Sequence, residues 1–143
     1  MAITRRIFCL FKRQRYAGTS SGNLYYPQDR ERLVKELGGA SKLIVHGRVY
    51  DRSAVGGPSI DFDYREGCFG DEPPGNSLRS FVATKSADSP VLPWNAANMA
   101  SVPDDGTFQL APTKGLLDLS MKVSGTAACW VEVELYVMSE YAG

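Results

Sequence analysis

From residue 42 onward, apolar and polar positions alternate with a period of two, the spacing of strands with one face turned to a core. Over 42–51, Leu43, Val45 and Val49 fall on one side and Ile44, His46, Arg48 and Tyr50 on the other. Over 59–64 the alternation is strict, with Ile60, Phe62 and Tyr64 opposite Asp61 and Asp63. Shorter stretches at 78–84 and 107–111 predict two further strands. The clearest pattern is C-terminal: Leu117, Leu119, Met121 and Val123 alternate with Asp118, Ser120 and Lys122. After Ser124-Gly125-Thr126, Cys129, Val131, Val133, Leu135 and Val137 alternate with Trp130, Glu132, Glu134 and Tyr136. These two runs read as a hairpin. Residues paired across an antiparallel ladder share a face, so both apolar sets point inward only if paired numbers sum to an even value. The loop is then three residues (124–126) or five. Five sets Lys122 opposite Trp130 and keeps Asp118 from facing Glu132, so the longer loop is preferred.

Ahead of the strands, Pro27, an acid-containing first turn, Leu33, Val34 and Leu37 on one face, and Gly38-Gly39 at the end predict a short helix over 28–37. Residues 65–77 and 85–106 carry Pro73, Pro74, Pro90, Pro93 and Pro103 and read as loops, because proline cannot donate to a ladder. About six strands with one helix make a mainly β chain, an antiparallel β-sandwich or jelly-roll-like domain over 24–143, with a small barrel as the alternative. A length of 143 residues, 43% of them apolar, suits one core.

The N-terminal end has a different character. Ile7, Phe8, Cys9, Leu10 and Phe11 are bracketed by Arg5, Arg6, Lys12, Arg13 and Arg15, and residues 17–23 form a Gly/Ser/Thr-rich joint. Net charge is zero, but residues 1–36 hold eight cations against three anions (+5) and residues 37–143 hold eight against thirteen (−5). The sequence therefore predicts a basic arm over 1–23 on an acidic body. The apolar run is shorter than the roughly 7–15 residues of a signal-peptide core, and nothing approaches the roughly 20 of a membrane span. With Met1 in place, the expectation is a soluble protein with no membrane partner. The aliphatic centre of the arm argues against nucleic acid, which favours sustained cations with interleaved aromatics. A strap fits better: Ile7, Phe8, Leu10 and Phe11 would cover a groove or sheet edge on a neighbouring subunit, and the cations would meet an acidic surface there.

No catalytic motif stands out. Cys9, Cys68 and Cys129 form no C-x-x-C pair, which suits a reducing compartment. Asp61, Asp63, Glu66 and Glu72 resemble a calcium loop only until the glycine position, which holds Glu66, and the fifth position, which holds Arg65. Strand alternation explains Asp61 and Asp63 without a metal, and no cofactor is expected. His46, the single histidine, lies mid-strand with no nucleophile beside it in sequence, so any hydrolytic scheme would have to join it to Asp61 and Asp63. Trp94, Trp130 and Tyr136 are candidate interface anchors; stacking on sugar rings, as in a carbohydrate-binding module, is the alternative.

The C-terminal pair of strands within 116–138 and the arm at 5–16 are similar to features of accessory structural proteins of tailed bacteriophage virions, such as head decoration or cement proteins and small tail proteins. That resemblance implies a non-enzymatic, homo-oligomeric component, assembled in the host cytoplasm, that clamps neighbouring shell or tube subunits.

Overall fold

The strands that alternate in sequence need their apolar faces covered, and two stacked antiparallel sheets do this. The computed structural model describes residues 2–67, 82–86, 104–112 and 115–142. In chain order it contains β1 (Ile3–Gly18), β2 (Asn23–Tyr25), α1 (Arg30–Gly38), β3 (Lys42–Arg52), β4 (Ser59–Gly67), β5 (Val82–Ser86), β6 (Asp104–Leu110), β7 (Leu116–Ser124) and β8 (Cys129–Ala142). The first sheet has the order β1-β8-β3-β6 and the second β2-β7-β4-β5. Consecutive strands change sheet at every step except β4 to β5. The eight strands among the described residues make a jelly roll, so the expected sandwich stands and the barrel does not. Residues 68–81, 87–103 and 113–114, which include Cys68, Trp94 and the loop prolines, lie outside the described residues, as do residues 78–81 of one predicted strand.

Inside the sandwich, Leu43, Val45 and Val49 of β3 and Val131, Val133, Leu135 and Val137 of β8 meet Ile60 and Phe62 of β4 and Leu117, Leu119, Met121 and Val123 of β7 in one core. The expected inward faces of β3, β4, β7 and β8 are buried as read from the sequence, except that Tyr64 at the end of the β4 stripe is half-buried against the core.

The pairing of the last two strands is a correction. β7 pairs with β2 and β4, and β8 pairs with β1 and β3, so the two strands face each other across the core instead of forming a hairpin. Lys122 is in register with Leu24 and Asp61, and Trp130 with Ala17. The physical reason lies in the turn. Gly125 N–H donates to Thr19 O (3.2 Å) and Thr126 N–H to Gly56 O (2.7 Å), so the connection is tied to two other loops and arches between sheets. A side chain at Gly125 would place its Cβ 2.3 Å from Gly56 O, closer than any real contact, which fixes glycine there. An arch buries both alternating faces just as a hairpin would, and periodicity does not separate the two.

The division into an arm over 1–23 and a domain from 24 also gives way. Residues 3–18 are β1, paired antiparallel with β8 from Ile3↔Ala142 to Gly18↔Cys129, with register shifts between Cys9 and Phe11 and between Phe11 and Gln14. Those bulges bring both Leu10 and Phe11 into the core, where Phe11 meets Phe62 and Tyr16 edge-to-face. The apolar run therefore covers a surface of its own chain. The predicted joint is a tight turn, closed by Gly22 N–H to Thr19 O (3.1 Å), leading into β2.

Helix α1 follows the predicted amphipathic pattern, with Leu33, Val34 and Leu37 buried. Arg30, its first residue, donates two hydrogen bonds to Asp118 of β7, the Nε bond at 2.9 Å, and its guanidinium stacks 3.6 Å from the ring of Tyr26. At the other end, Gly38 lies against the Gly115 and Leu116 backbone with no room for a side chain.

Two predictions follow the fold. Leu10→Ala or Phe11→Ala should lower unfolding free energy by about 2–5 kcal/mol, whereas Ile7→Ala on the outer face should stay within about 0.5 kcal/mol, measured by urea denaturation. Equal, small effects at all three sites would contradict β1 as a core strand. The second concerns Tyr16, whose hydroxyl donates to Lys12 O (2.7 Å) and whose phenol burial pushes up to about 12. A raised folded value means that the stability Tyr16 contributes is complete below its unfolded value of about 10 and is lost as pH climbs to about 12. The gap in Tm between wild type and Tyr16→Phe should therefore narrow over that interval.

Candidate functional site

The outer face of the first sheet gathers most of the chemistry that the sequence flagged, because register lines up one residue from each strand. Cys9, Tyr136, His46 and Thr107 form one such row across β1, β8, β3 and β6. Ile7, Met138, Ile44 and Gln109 form the next. On the other side of the first row, Glu134, Arg48 and Asp105 are in register, and the bulged Lys12-Arg13 pair of β1 lies beside Glu134.

The polar groups on this face are tied together. Glu134 accepts hydrogen bonds from the Tyr50 hydroxyl (2.8 Å) and the Tyr136 hydroxyl (3.1 Å). Arg13 donates to Glu132 (2.8 Å) while its guanidinium sits 3.6 Å from the centre of the Tyr50 ring. Arg48 grips Asp105 through two bonds, Arg15 lies 3.8 Å over the Trp130 ring, and Arg5 donates to Glu140 (2.9 Å). Exposed ion pairs contribute about 0–1 kcal/mol each. Their effect is to hold long side chains in one arrangement. Beside this lattice, Ile7 is 72% exposed and Ile3 59% exposed.

Proton affinities follow from the same contacts. The Glu134 carboxylate, accepting the Tyr136 hydrogen bond, pushes that phenol up to about 12 and raises Tyr50 for the same reason. The Arg48 hydrogen bond holds Asp105 below the usual carboxylate range. Partial burial raises the Cys9 thiol.

Of the arm residues singled out as an interface, Leu10 and Phe11 are core and Phe8 is half-buried with the Arg32 guanidinium 5.5 Å over its ring, whereas Arg5, Arg6, Ile7, Lys12, Arg13 and Arg15 are exposed. Trp130 and Tyr136 lie on the outer face as expected, but one face of Trp130 is occupied by Arg15 and the Tyr136 hydroxyl is engaged by Glu134. His46 is on the outer face of the first sheet and Asp61 in the second, in register with Lys122. The core separates them, so no scheme uses both; Asp63 lies two residues further along the same strand. Among the described residues no group of three or more His, Cys, Asp or Glu gathers as a metal site would. Sequence reading missed Tyr50, Glu132, Glu134, Arg48 and Asp105 as a set. Alternation marked the first four as outward, but only the cross-sheet register joins them. A cavity of about 280 Å³ opens beside the β1 bulges, lined among others by Phe11, Lys12, Gln14, Tyr16, Tyr25 and Tyr26.

No protein-family model matches the chain, and no curated protein matches it in sequence. Among solved structures it is similar to a protein of Bacillus endospore appendages, described as a novel family of disulfide-linked pili, at 11% identity over 98% of this chain and 88% of that one, with a TM-score of 0.43. It is similar to VP2 of infectious bursal disease virus in its subviral particle at 12% identity over 95% of this chain, with a TM-score of 0.51. It is also similar to a chain of Cocksfoot mottle virus at 11% identity, covering 96% of this chain and 90% of that one, with a TM-score of 0.31. Of the three, the VP2 likeness bears on the fold, and this chain spans 32% of the VP2 chain. The shared element is the jelly-roll sandwich.

Replacing Glu134 by Gln removes the charge that opposes ionisation of both phenols. The Tyr136 phenol should then fall from about 12 towards its ordinary value of about 10, read by tyrosine NMR titration; an unmoved titration would show that Glu134 does not set it.

Proposed function

We propose that this protein is a non-enzymatic structural subunit of a large assembly, a decoration, cement or tail component of a virion, that joins neighbouring subunits through β1 and the outer face of the first sheet. The observation that carries this reading is the composition of that face: Arg13, Arg15, Arg48, Tyr50, Trp130 and Tyr136 held by their contacts, with Ile3 and Ile7 standing exposed beside them. Arg, Tyr and Trp are the residue types that anchor protein interfaces, and a prearranged anchor loses less side-chain entropy when a partner covers it. The edge position of β1 and the cavity beside its bulges support the same reading, since an incoming segment finds backbone that no strand among the described residues pairs with and a recess for a side chain. Partners are copies of this chain or adjoining shell subunits, placing it in the particle.

The sugar-binding alternative is weakened by Arg15 over Trp130, which occupies a ring face that stacking on a pyranose would need.

Removing the arm is no test of this reading, because residues 2–16 include core residues. Ile3→Ser with Ile7→Ser is suitable, since both side chains are exposed. The double variant should keep its circular dichroism spectrum and a Tm within a few degrees of wild type, while the wild-type particles or oligomers seen by sedimentation velocity shift towards monomer. Wild type that stays monomeric at high concentration, or a variant that assembles unchanged, would contradict the reading.

A further inference from the structure

The first sheet ends in two edges of opposite charge. Among the described residues, β1 pairs only with β8 and β6 only with β3, so each presents one unpaired side. β1 carries Arg5, Arg6, Lys12, Arg13 and Arg15 and no acid, while β6 begins with Asp104 and Asp105 and carries no cation. Two β1 edges facing each other would align cations with cations, and like charges directly opposite destabilise a ladder. A β1 edge facing a β6 edge would not.

Strand direction and register allow that second pairing. Four strands with antiparallel neighbours leave β1 and β6 running in opposite directions. A second copy added side by side, without inversion, therefore sets its β1 antiparallel to the first copy's β6. The rows already defined then continue across the seam with faces matched. Thr107 of one copy comes level with Cys9 of the next, Gln109 with Ile7, and Asp105 with the Lys12-Arg13 bulge. Asp105 and the bulge cations share the outer face and meet without any stagger.

We infer that copies of this chain join head to tail through β1 of one and β6 of the next, so that the first sheet runs on from subunit to subunit. This rests on the assembly role proposed above and names the partner as a second copy. The interface is heterologous: each copy offers both halves, and the accumulated sheet twist makes the product a closed ring or an open filament, not a dyad dimer. The cations of β1 then serve twice, refusing another β1 and accepting β6.

The row Cys9–Thr107 supplies the test. Full-length C9S/T107C is mixed with wild-type chain and treated with a short bis-maleimide, and cross-linked peptides are mapped by mass spectrometry. Thr107 is exposed, so the added cysteine should not disturb folding. The expected product joins Cys9 of wild type to the cysteine at position 107 of the variant, in about tenfold excess over Cys9–Cys9, which corresponds to roughly 1.4 kcal/mol of preference. Lys12→Glu should reduce that product, and Asp105→Lys in the mixed partner should restore it. Oligomers that form without the Cys9–107 product would overturn the seam, leave the assembly role standing, and make the β1 cations guards of a free edge. Chains that remain monomeric throughout would overturn both.

Discussion

Everything in this molecule depends on the need of two consecutive strands, β7 and β8, to bury an apolar stripe each. Met121, Val123, Val131, Val133, Leu135 and Val137 are fully buried, and each stripe is the centre of its own sheet, flanked on both sides by other strands. At about 25 cal/mol per Å² of apolar surface removed from water, such stripes dominate the favourable side of folding. The stripes cover one another only because Gly125 lets the chain arch from one sheet to the other, held by Thr19 and Gly56. With β7 and β8 facing across the core, neighbouring places in each sheet fall to strands distant in sequence, and the jelly-roll order results.

The same arrangement gives β1 its double character. Along its length β8 needs a partner, and β1 supplies it over thirteen paired positions while lending Leu10, Phe11 and Tyr16 to the core. Its other side pairs with nothing among the described residues. A long edge strand invites association unless it is blunted, and this one carries bulges and five cations. The basic N-terminal charge of the sequence is thus concentrated on one edge of the fold, and the acids of β6 stand on the opposite edge of the same sheet.

Much of this was legible in the sequence, and the misses share one cause. Period-two alternation located β3, β4, β7 and β8 and their inward residues, because burial on one side of a strand is a local property of the pattern. The helix over 28–37 was visible through Leu33, Val34 and Leu37 for the same reason, and the structure sets it at Arg30–Gly38. Partner choice was not visible: β7 and β8 read as a hairpin because an arch and a hairpin impose the same alternation on Leu117–Val123 and Cys129–Val137. β1 read as an arm because its two bulges put Leu10 and Phe11, adjacent in sequence, on the same inward side, which breaks the alternation. The outer face was half legible. Arg48, Tyr50, Glu132, Glu134 and Tyr136 were each recognisable as outward, but Glu134 bridging Tyr50 and Tyr136 depends on a register between strands more than 80 residues apart.

Two properties of β1 are at stake together: membership of the domain as a strand, and an outer edge taken by a neighbour. Residue-resolved amide hydrogen exchange along 3–18, recorded at low and high protein concentration, reads both halves at once. Amides directed at β8 should be protected at every concentration, and the alternate amides directed away from β8 should exchange rapidly when dilute and become protected as copies associate. Rapid exchange throughout β1 would contradict the first property, and outward amides that remain unprotected in the assembled state would contradict the second.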